Sequence, residues 1–490
     1  MLIALLACKP TVEDSSVPSE PTPGIALRAD GWLRGDLHVH SDYEGGFEDV
    51  ATNLALAASL AEPAFQEAHP EYRENELDFV SLTDHRMVDQ QQDEGYQSDS
   101  LVLIGGEEYG STGHAGLHGV HEFVDHDPDD DGVTLEDALL AIVATHDQGA
   151  LFSPNHPFLR DIPWPWDTTD QDAVEVWNSG WALMAPPFRT EDLEAWEASH
   201  GDAGATFRRA VQHQGGLASD QSLTWYEAQL AIGRHLAVIG GSDRHAVLLP
   251  GFPTTWIRSD GETEGALLDG LGDRHSFVSR TPASAQVLVE VETNSGSWQM
   301  GDEVPIPADG EEITLLVRVG RASGGELQIR TGGASTEEDI EDAELGQVLV
   351  EEEIDSDDFE LSTTLTVMPG DWFYPVVTEP LIAPGLDDEE ADLIRDLATQ
   401  VSRTGAEDFV GLATLFAELA DQDVLFDASK CDPEAWLPDQ LQCMPADDDA
   451  LASFFVPDRY DRALNVTVVD GEITDRCMGA VGSAIRFVAE

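Results

Sequence analysis

Two histidines one residue apart, His38 and His40, stand in the stretch GDLHVHSDYEGG among carboxylates. In an extended strand, side chains alternate, so Asp36, His38 and His40 share one face while Leu37 and Val39 take the other. Two imidazoles so placed at a strand end can reach a single cation. Further polar clusters follow apolar runs in the same way: Asp84 and His85 in LTDH, Glu107 and Glu108 in GEEY, His156 in NHP, and Asp243 and His245 in GGSDRH. A random scatter of fifteen histidines would not gather at such points.

The elements that must position these residues follow from periodicity. Between Trp32 and about Arg280, strand-like runs (LRGDLHVHS, LDFVSLTDH, SLVLIGGEEY, GALFSPNHP, AVEVWN, HLAVIGGSDRH, TTWIR, HSFVSR) alternate with helix-like pieces. One of these, TLEDALLAIVATHD, has Thr134 placed as its cap. Strand and helix in alternation predict a mainly parallel sheet, open or closed into a barrel, with ligands at the C-terminal strand ends. Beyond Pro282 alternating segments such as AQVLVEVE, EITLLVRVG and ELSTTLTVM predict an antiparallel, sandwich-like β region, interrupted by helical patterns over 386–420.

The 490 residues carry 96 acidic and 24 basic side chains, a formal net charge of −72, and Lys9 and Lys430 are the two lysines. That balance excludes nucleic acid and anionic membrane surfaces as partners, since both require a basic footprint. The N-terminus, MLIALLACKP, resembles the end of a lipoprotein signal in which Cys8 takes the lipid, so 1–8 is read as a signal remnant. Residues 9–29, rich in Pro, Ser, Glu and Thr, are read as a disordered tether. The expected location is therefore an exported, lipid-anchored position in the bacterial cell envelope, where one disulfide among Cys431, Cys443 and Cys477 is plausible.

The series DLHVHS, LTDH, GEEYGSTGH, NHP and GGSDRH, in that order, resembles the PHP (polymerase and histidinol phosphatase) superfamily of metal-dependent hydrolases. The pieces EVWN, GFPTTWI and GDRHSFVSR are most similar to its carbaryl-hydrolase-like branch. The resemblance implies a distorted (β/α)7 barrel over 30–282, followed by the β-rich region 283–490. It also implies two or three divalent transition ions, zinc, manganese or iron, at the barrel mouth. Motif by motif it points to His38, His40, His85, Glu108, His114, His156, Asp243 and His245 as ligands, with Glu108 matching better than Glu107 and bridging two ions. A ninth ligand falls on Glu44, with Asp42 as its rival.

Imidazole with carboxylate suits those metals, and thiolates are missing from the motifs. Tetrahedral zinc needs about four ligands, so a set this large implies several ions. Two ions about 3.5–4 Å apart can hold a bridging hydroxide and stabilise both attacking and leaving oxygens. The expected activity is hydrolysis of a small-molecule phosphoester by metal-bound hydroxide. Asp84 or Asp36 would orient histidines or accept a proton, and Arg244 or Arg86 would pair with substrate oxygens. A carboxylic or carbamic ester is the alternative substrate, for which Trp164, Trp166 and Trp177 with Asn178 could form a wall. A non-catalytic surface-binding lipoprotein is the alternative of another class. The stretch VDHDPDDDG resembles a calcium loop but puts Ala138 where an EF-hand needs Glu. His118, His121 and His126 are read as solvent-facing.

Overall fold

The computed structural model describes residues 27–44, 46, 48–68, 74–125, 133–160, 162–178, 187–212, 218–245, 249–383, 385–386, 388–404, 462–463, 465–469 and 472–489. The signal remnant, residues 9–26 of the tether, His126 with most of the calcium-like loop, Cys431 and Cys443 lie outside the described residues. So does the disulfide reading. Cys477 is buried, its Sγ 3.7 Å from the Glu379 carbonyl.

The first part of the chain forms strands β1 (Trp32–Val39), β2 (Phe79–Leu82), β3 (Val102–Ile104), β4 (Gly106–Tyr109), β5 (Ala115–His118), β6 (Leu151–Pro154), β7 (Ala173–Asn178), β8 (Ala237–Gly241), β9 (Thr254–Arg258) and β10 (Ser276–Ser279). Helices α1 (Val50–Ser59), α2 (Pro63–Ala68), α3 (Leu135–Asp147), α4 (Thr190–His200), α5 (Ala205–Gln212), α6 (Ala218–Ala231) and α7 (Glu264–Gly272) lie between them. Local chemistry starts several of these helices: Asp49 caps α1 by accepting from Thr52 N, and Thr134 with Asp137 forms a capping box on α3. In β1 every residue except Arg34 is buried, so no inside–outside alternation marks it. Gly35 is needed there, because a Cβ would meet the Phe79 backbone oxygen at 2.2 Å.

The pairing is mixed. β1, β2 and β3 are parallel, as are β7 and β8, whereas β9 runs antiparallel to β1, and β4, β5 and β6 form an antiparallel sheet. Among the described residues the ladders form four sheets and draw no closed seven-stranded ring.

The remaining strands are β11 (Gln286–Glu292), β12 (Ser297–Gln299), β13 (Glu303–Ile306), β14 (Glu311–Gly320), β15 (Glu326–Gly332), β16 (Gln347–Glu353), β17 (Asp358–Val367), β18 (Trp372–Pro380), β19 (Val466–Val469), β20 (Glu472–Gly482) and β21 (Ile485–Ala489). β12, β11, β14 and β17 make a separate four-stranded antiparallel sheet. The others join β1, β2, β3, β9 and β10 in one 12-stranded sheet through the β10–β20 pair, Phe277 opposite Gly482. The sheet that carries His38 therefore crosses residue 282 by hydrogen bonds. Between the two sheets a core draws Val287, Val289, Leu315 and Val317 from one layer and Leu327, Ile329, Phe373 and Phe487 from the other. α8 (Asp388–Thr404) occupies the start of the expected helical insertion, whose later part lies outside the described residues. No helix among the described residues is long and apolar enough to cross a membrane.

Candidate metal centre

Consecutive strand ends deliver donors to one spot. β1 brings His38 and, just beyond it, His40; the turn after β2 brings His85, bridged to Glu108 of β4. His114 precedes β5, His156 follows β6, and Asp243 and His245 follow β8. These eight side chains form four interlocking trios: His40, His85 and His245; His38, His40 and Glu108; His38, His156 and Asp243; His85, Glu108 and His114. Within each trio the donor atoms lie within 4.8 Å of one another.

Glu108 is at the centre. Its Oε1 is 3.2 Å from His38 Nε2, His114 Nδ1 and His156 Nε2, and its Oε2 is 2.8 Å from His85 Nδ1 and 3.4 Å from His40 Nε2. Asp243 Oδ1 lies 3.2 Å from His40 Nε2 and 3.4 Å from His38 Nε2. His38 and His40 turn their Nε2 atoms toward each other at 3.1 Å. Burial alone would raise both carboxyls, but His114, His38 and His85 hold Glu108 well below its ordinary range, and His38, His40 and His245 do the same for Asp243. Burial, with His245 and His85, pushes His40 far down, and burial takes His114 to about 4, so both rings stay neutral with a lone pair to give. For His38 the carboxylates of Asp243, Glu108 and Glu175 outweigh burial and raise it.

Several of these buried atoms find no hydrogen-bond partner in the protein: Glu108 Oε2, Asp243 Oδ1 and the Nδ1 atoms of His40, His85, His114 and His156. Each such group costs about 1–3 kcal/mol if left so. Carboxylate oxygens and ring nitrogens gathered within a few ångströms of one another are what a divalent cation satisfies, and the imidazole–carboxylate donor set fits a transition ion. His156 and Asp243 also hold positive φ, 26° and 50°, and so does Arg86 at 55°. Strained non-glycine backbone of this kind is tolerated where the surroundings enforce it.

A further set of contacts orients the donors. Glu175 Oε1 sits 3.0 Å from His38 Nδ1, while its Oε2 accepts from His156 N at 2.8 Å and from Asn178 Nδ2 at 3.0 Å. Asn178 Nδ2 also donates to Asp243 Oδ2, and Asn155 Nδ2 to Glu108 Oε1. A Cβ on Gly241 would lie 2.3 Å from His38 Cβ and 2.7 Å from Glu175 Oε1, so only glycine lets that pair meet. The sequence reading assigned Glu175 and Asn155 no role. The available signal was a charge inside AVEVWN, a strand buried at every position, where an ionised group requires partners.

Other expected residues have different surroundings. Glu44 is outside the cluster: its carboxylate is 46% exposed and faces Arg86 at 3.6 Å. The turn after Ser41 carries it into solvent, and its rival Asp42 is exposed as well. Asp84 accepts from Ser41 N and Oγ at 2.6 and 2.8 Å, and burial raises it to about 6; it ties the loop after β1 to the end of β2. Asp36 accepts from His38 N and Gly251 N and likewise braces backbone. Arg244 is 1% exposed and commits its guanidinium to Glu48 at 2.9 Å and Asn53 at 3.1 Å. Glu107 alternates away from Glu108 on β4, accepts from Val124 N, and is pushed up to about 8 by burial. Trp164 and Trp166 pack edge to face, 4.9 Å apart, in the core, and the Trp177 indole donates to Asn465. Against expectation His118 is buried, 2.9 Å from Ser153 Oγ, because β5 is covered on both faces; His121 is exposed.

No family model matches the chain, and no curated protein does. Among solved structures it is similar to a two-domain protein containing a predicted PHP-like metal-dependent phosphoesterase from Bacteroides vulgatus ATCC 8482. The identity is 15% over 74% of this chain and 94% of that one, with a TM-score of 0.32. A likeness at that level leaves the reading to the geometry of the site itself.

Proposed function

We propose that this chain is a metal-dependent hydrolase of the PHP type that cleaves a phosphoester of a small molecule. The observation that carries the reading is the convergence of eight imidazole and carboxylate donors, seven buried and His85 half-buried, in four interlocking trios. His38, His40, His85, Glu108, His114, His156, Asp243 and His245 would hold two or three divalent transition ions. Such ions, when bound, supply Lewis acidity and lower the pKa of water from about 16 toward 7. The chain's own contribution is orientation. Glu175 Oε1, accepting from His38 Nδ1, would turn Nε2 toward the ions, while Asn178 Nδ2 donates to Asp243 Oδ2 and Asn155 Nδ2 to Glu108 Oε1, holding both carboxylates in place. Low exposure keeps the donors from bulk water, which strengthens every electrostatic contact there.

Parallel β7 and β8, with β8 lying beside β1 and β6 beside β7, support the further proposal that these strands belong to a β/α barrel whose mouth is this centre. The lipobox-like N-terminus supports attachment to the bacterial envelope through Cys8. The carboxylic or carbamic ester reading keeps the resemblance to the carbaryl-hydrolase-like branch but loses the support of Trp164 and Trp166, which belong to the packed core.

Purified protein, analysed for metal and then assayed on nitrophenyl phosphates, nitrophenyl acetate and nitrophenyl carbamates, tests the proposal. More than one equivalent of transition metal with turnover of the phosphates is the expected result. Less than one equivalent would end the multinuclear reading, and turnover of the acetate or carbamate alone would replace the substrate class.

A further inference from the structure

An anionic substrate approaching a chain of net charge −72 must meet a positive group before it reaches the donors. We infer that Arg86 is that group, a specificity-determining residue that takes the phosphate oxygens of the substrate, with Glu44 as its resting counter-ion. The inference rests on the phosphoester reading above.

Four observations converge on Arg86. It directly follows His85, a member of two of the donor trios. Its backbone is bolted to the centre: Arg86 N donates to the Glu108 carbonyl at 2.8 Å, next to the His85–Glu108 bridge. It holds φ at 55°, a conformation that a non-glycine residue adopts at a cost and that here fixes where the side chain leaves the backbone. Finally, its side chain is 38% exposed, and its ion pair with Glu44, whose side chain is 46% exposed, is long, 3.6 Å. Exposed pairs of that kind contribute little, so a dianionic ligand can displace Glu44. Guanidinium binds phosphate oxygens two at a time, and such charge-assisted bonds far exceed an exposed ion pair. The other arginine beside a donor, Arg244, is taken by Glu48 and Asn53 in the interior.

The test uses metal-loaded full-length protein, 4-nitrophenyl phosphate as substrate and inorganic phosphate as the binding probe. Arg86→Asn is the first variant, since asparagine tolerates the left-handed backbone. It is expected to raise KM and the calorimetric Kd for phosphate about tenfold, with kcat changed less than about twofold. Arg86→Lys should recover part of that affinity, as a cation without the planar fork. Glu44→Gln should lower KM and leave metal content unchanged. Unchanged KM and phosphate Kd in Arg86→Asn would overturn the role of Arg86, and loss of bound metal in Glu44→Gln would overturn that of Glu44. If no nitrophenyl phosphate is cleaved while phosphate binding still depends on Arg86, the phosphoester reading fails and the anion site stands.

Discussion

In β14 and β17, paired over ten residues from Glu311 opposite Val367 to Gly320 opposite Asp358, nearly all charged side chains point outward. Ile313, Leu315, Val317 and Val319 point in, and Arg318 lies on the outer face opposite Glu360. The strands around the candidate metal centre invert that rule: His38, Glu108 and Glu175 are buried charge-bearing groups in strands with no exposed face. Water satisfies polar atoms in the first region, while in the second the protein satisfies some of them and leaves others with none. Burying apolar area stabilises the sandwich at about 25 cal/mol per Å². Burying polar atoms without partners costs stability, so the centre lowers the stability of the fold where the sandwich raises it.

If that contrast is right, substitutions in the two regions should separate function from stability. The largest effect is expected for His40→Ala and Asp243→Ala, each reducing turnover about a thousandfold, equivalent to ~4 kcal/mol in the barrier, while circular dichroism stays nearly unchanged. Full activity in both would remove the donors from the mechanism. Next, Glu175→Gln leaves His38 without its acceptor carboxylate and should weaken metal binding roughly 10–100-fold, read by competition with a chromogenic chelator. Unaltered affinity would reduce Glu175 to a packing residue.

The opposite signature is expected in the sandwich. Leu315→Ala removes a fully buried side chain and should destabilise by about 2–5 kcal/mol, seen as a lower midpoint in denaturant, with kcat/KM of the folded fraction intact. A change in KM would show that the two regions are coupled. The smallest effect concerns the seam between them. Glu303, at the start of β13, faces His235 Nδ1 at 3.8 Å from the loop before β8 and pairs with Arg486 at 2.9 Å; opposed by burial, these neighbours lower its pKa to about 2. A folded pKa below the unfolded value of 4.5 stabilises above that value and loses the contribution as pH falls toward 2. Acid unfolding of Glu303→Gln should therefore be shallower over that window, by a modest amount because the carboxylate is 43% exposed.

The clusters at strand ends, the capping of α3 by Thr134 and the alternation of β14 are all local patterns, and each could be read directly because side-chain direction follows from position along a strand or helix. Local pattern also picked out the eight side chains that the fold brings together, through their order and their resemblance to a family. It went wrong where direction depends on neighbours far away in the chain. Glu44 sits in a favourable place in sequence, yet the turn after Ser41 sends it to solvent. Arg244 alternates between two donors, but Glu48 and Asn53 draw it inward. His118 is a polar residue in a strand whose two faces are both covered, which its own sequence does not reveal.

Residue types and spacing by themselves determined the chemistry on offer: imidazoles and carboxylates without thiolates, repeated after apolar runs, in an acidic chain that repels polyanions. Tertiary structure alone decided which of them meet. Glu175 comes from a strand 137 residues away from His38 and reaches it because Gly241 leaves room, and β20 closes on β10 so that one sheet serves both halves. The physical reason is that donors need a common point within a few ångströms, and such points are fixed by strand packing and close backbone approach between segments far apart in sequence.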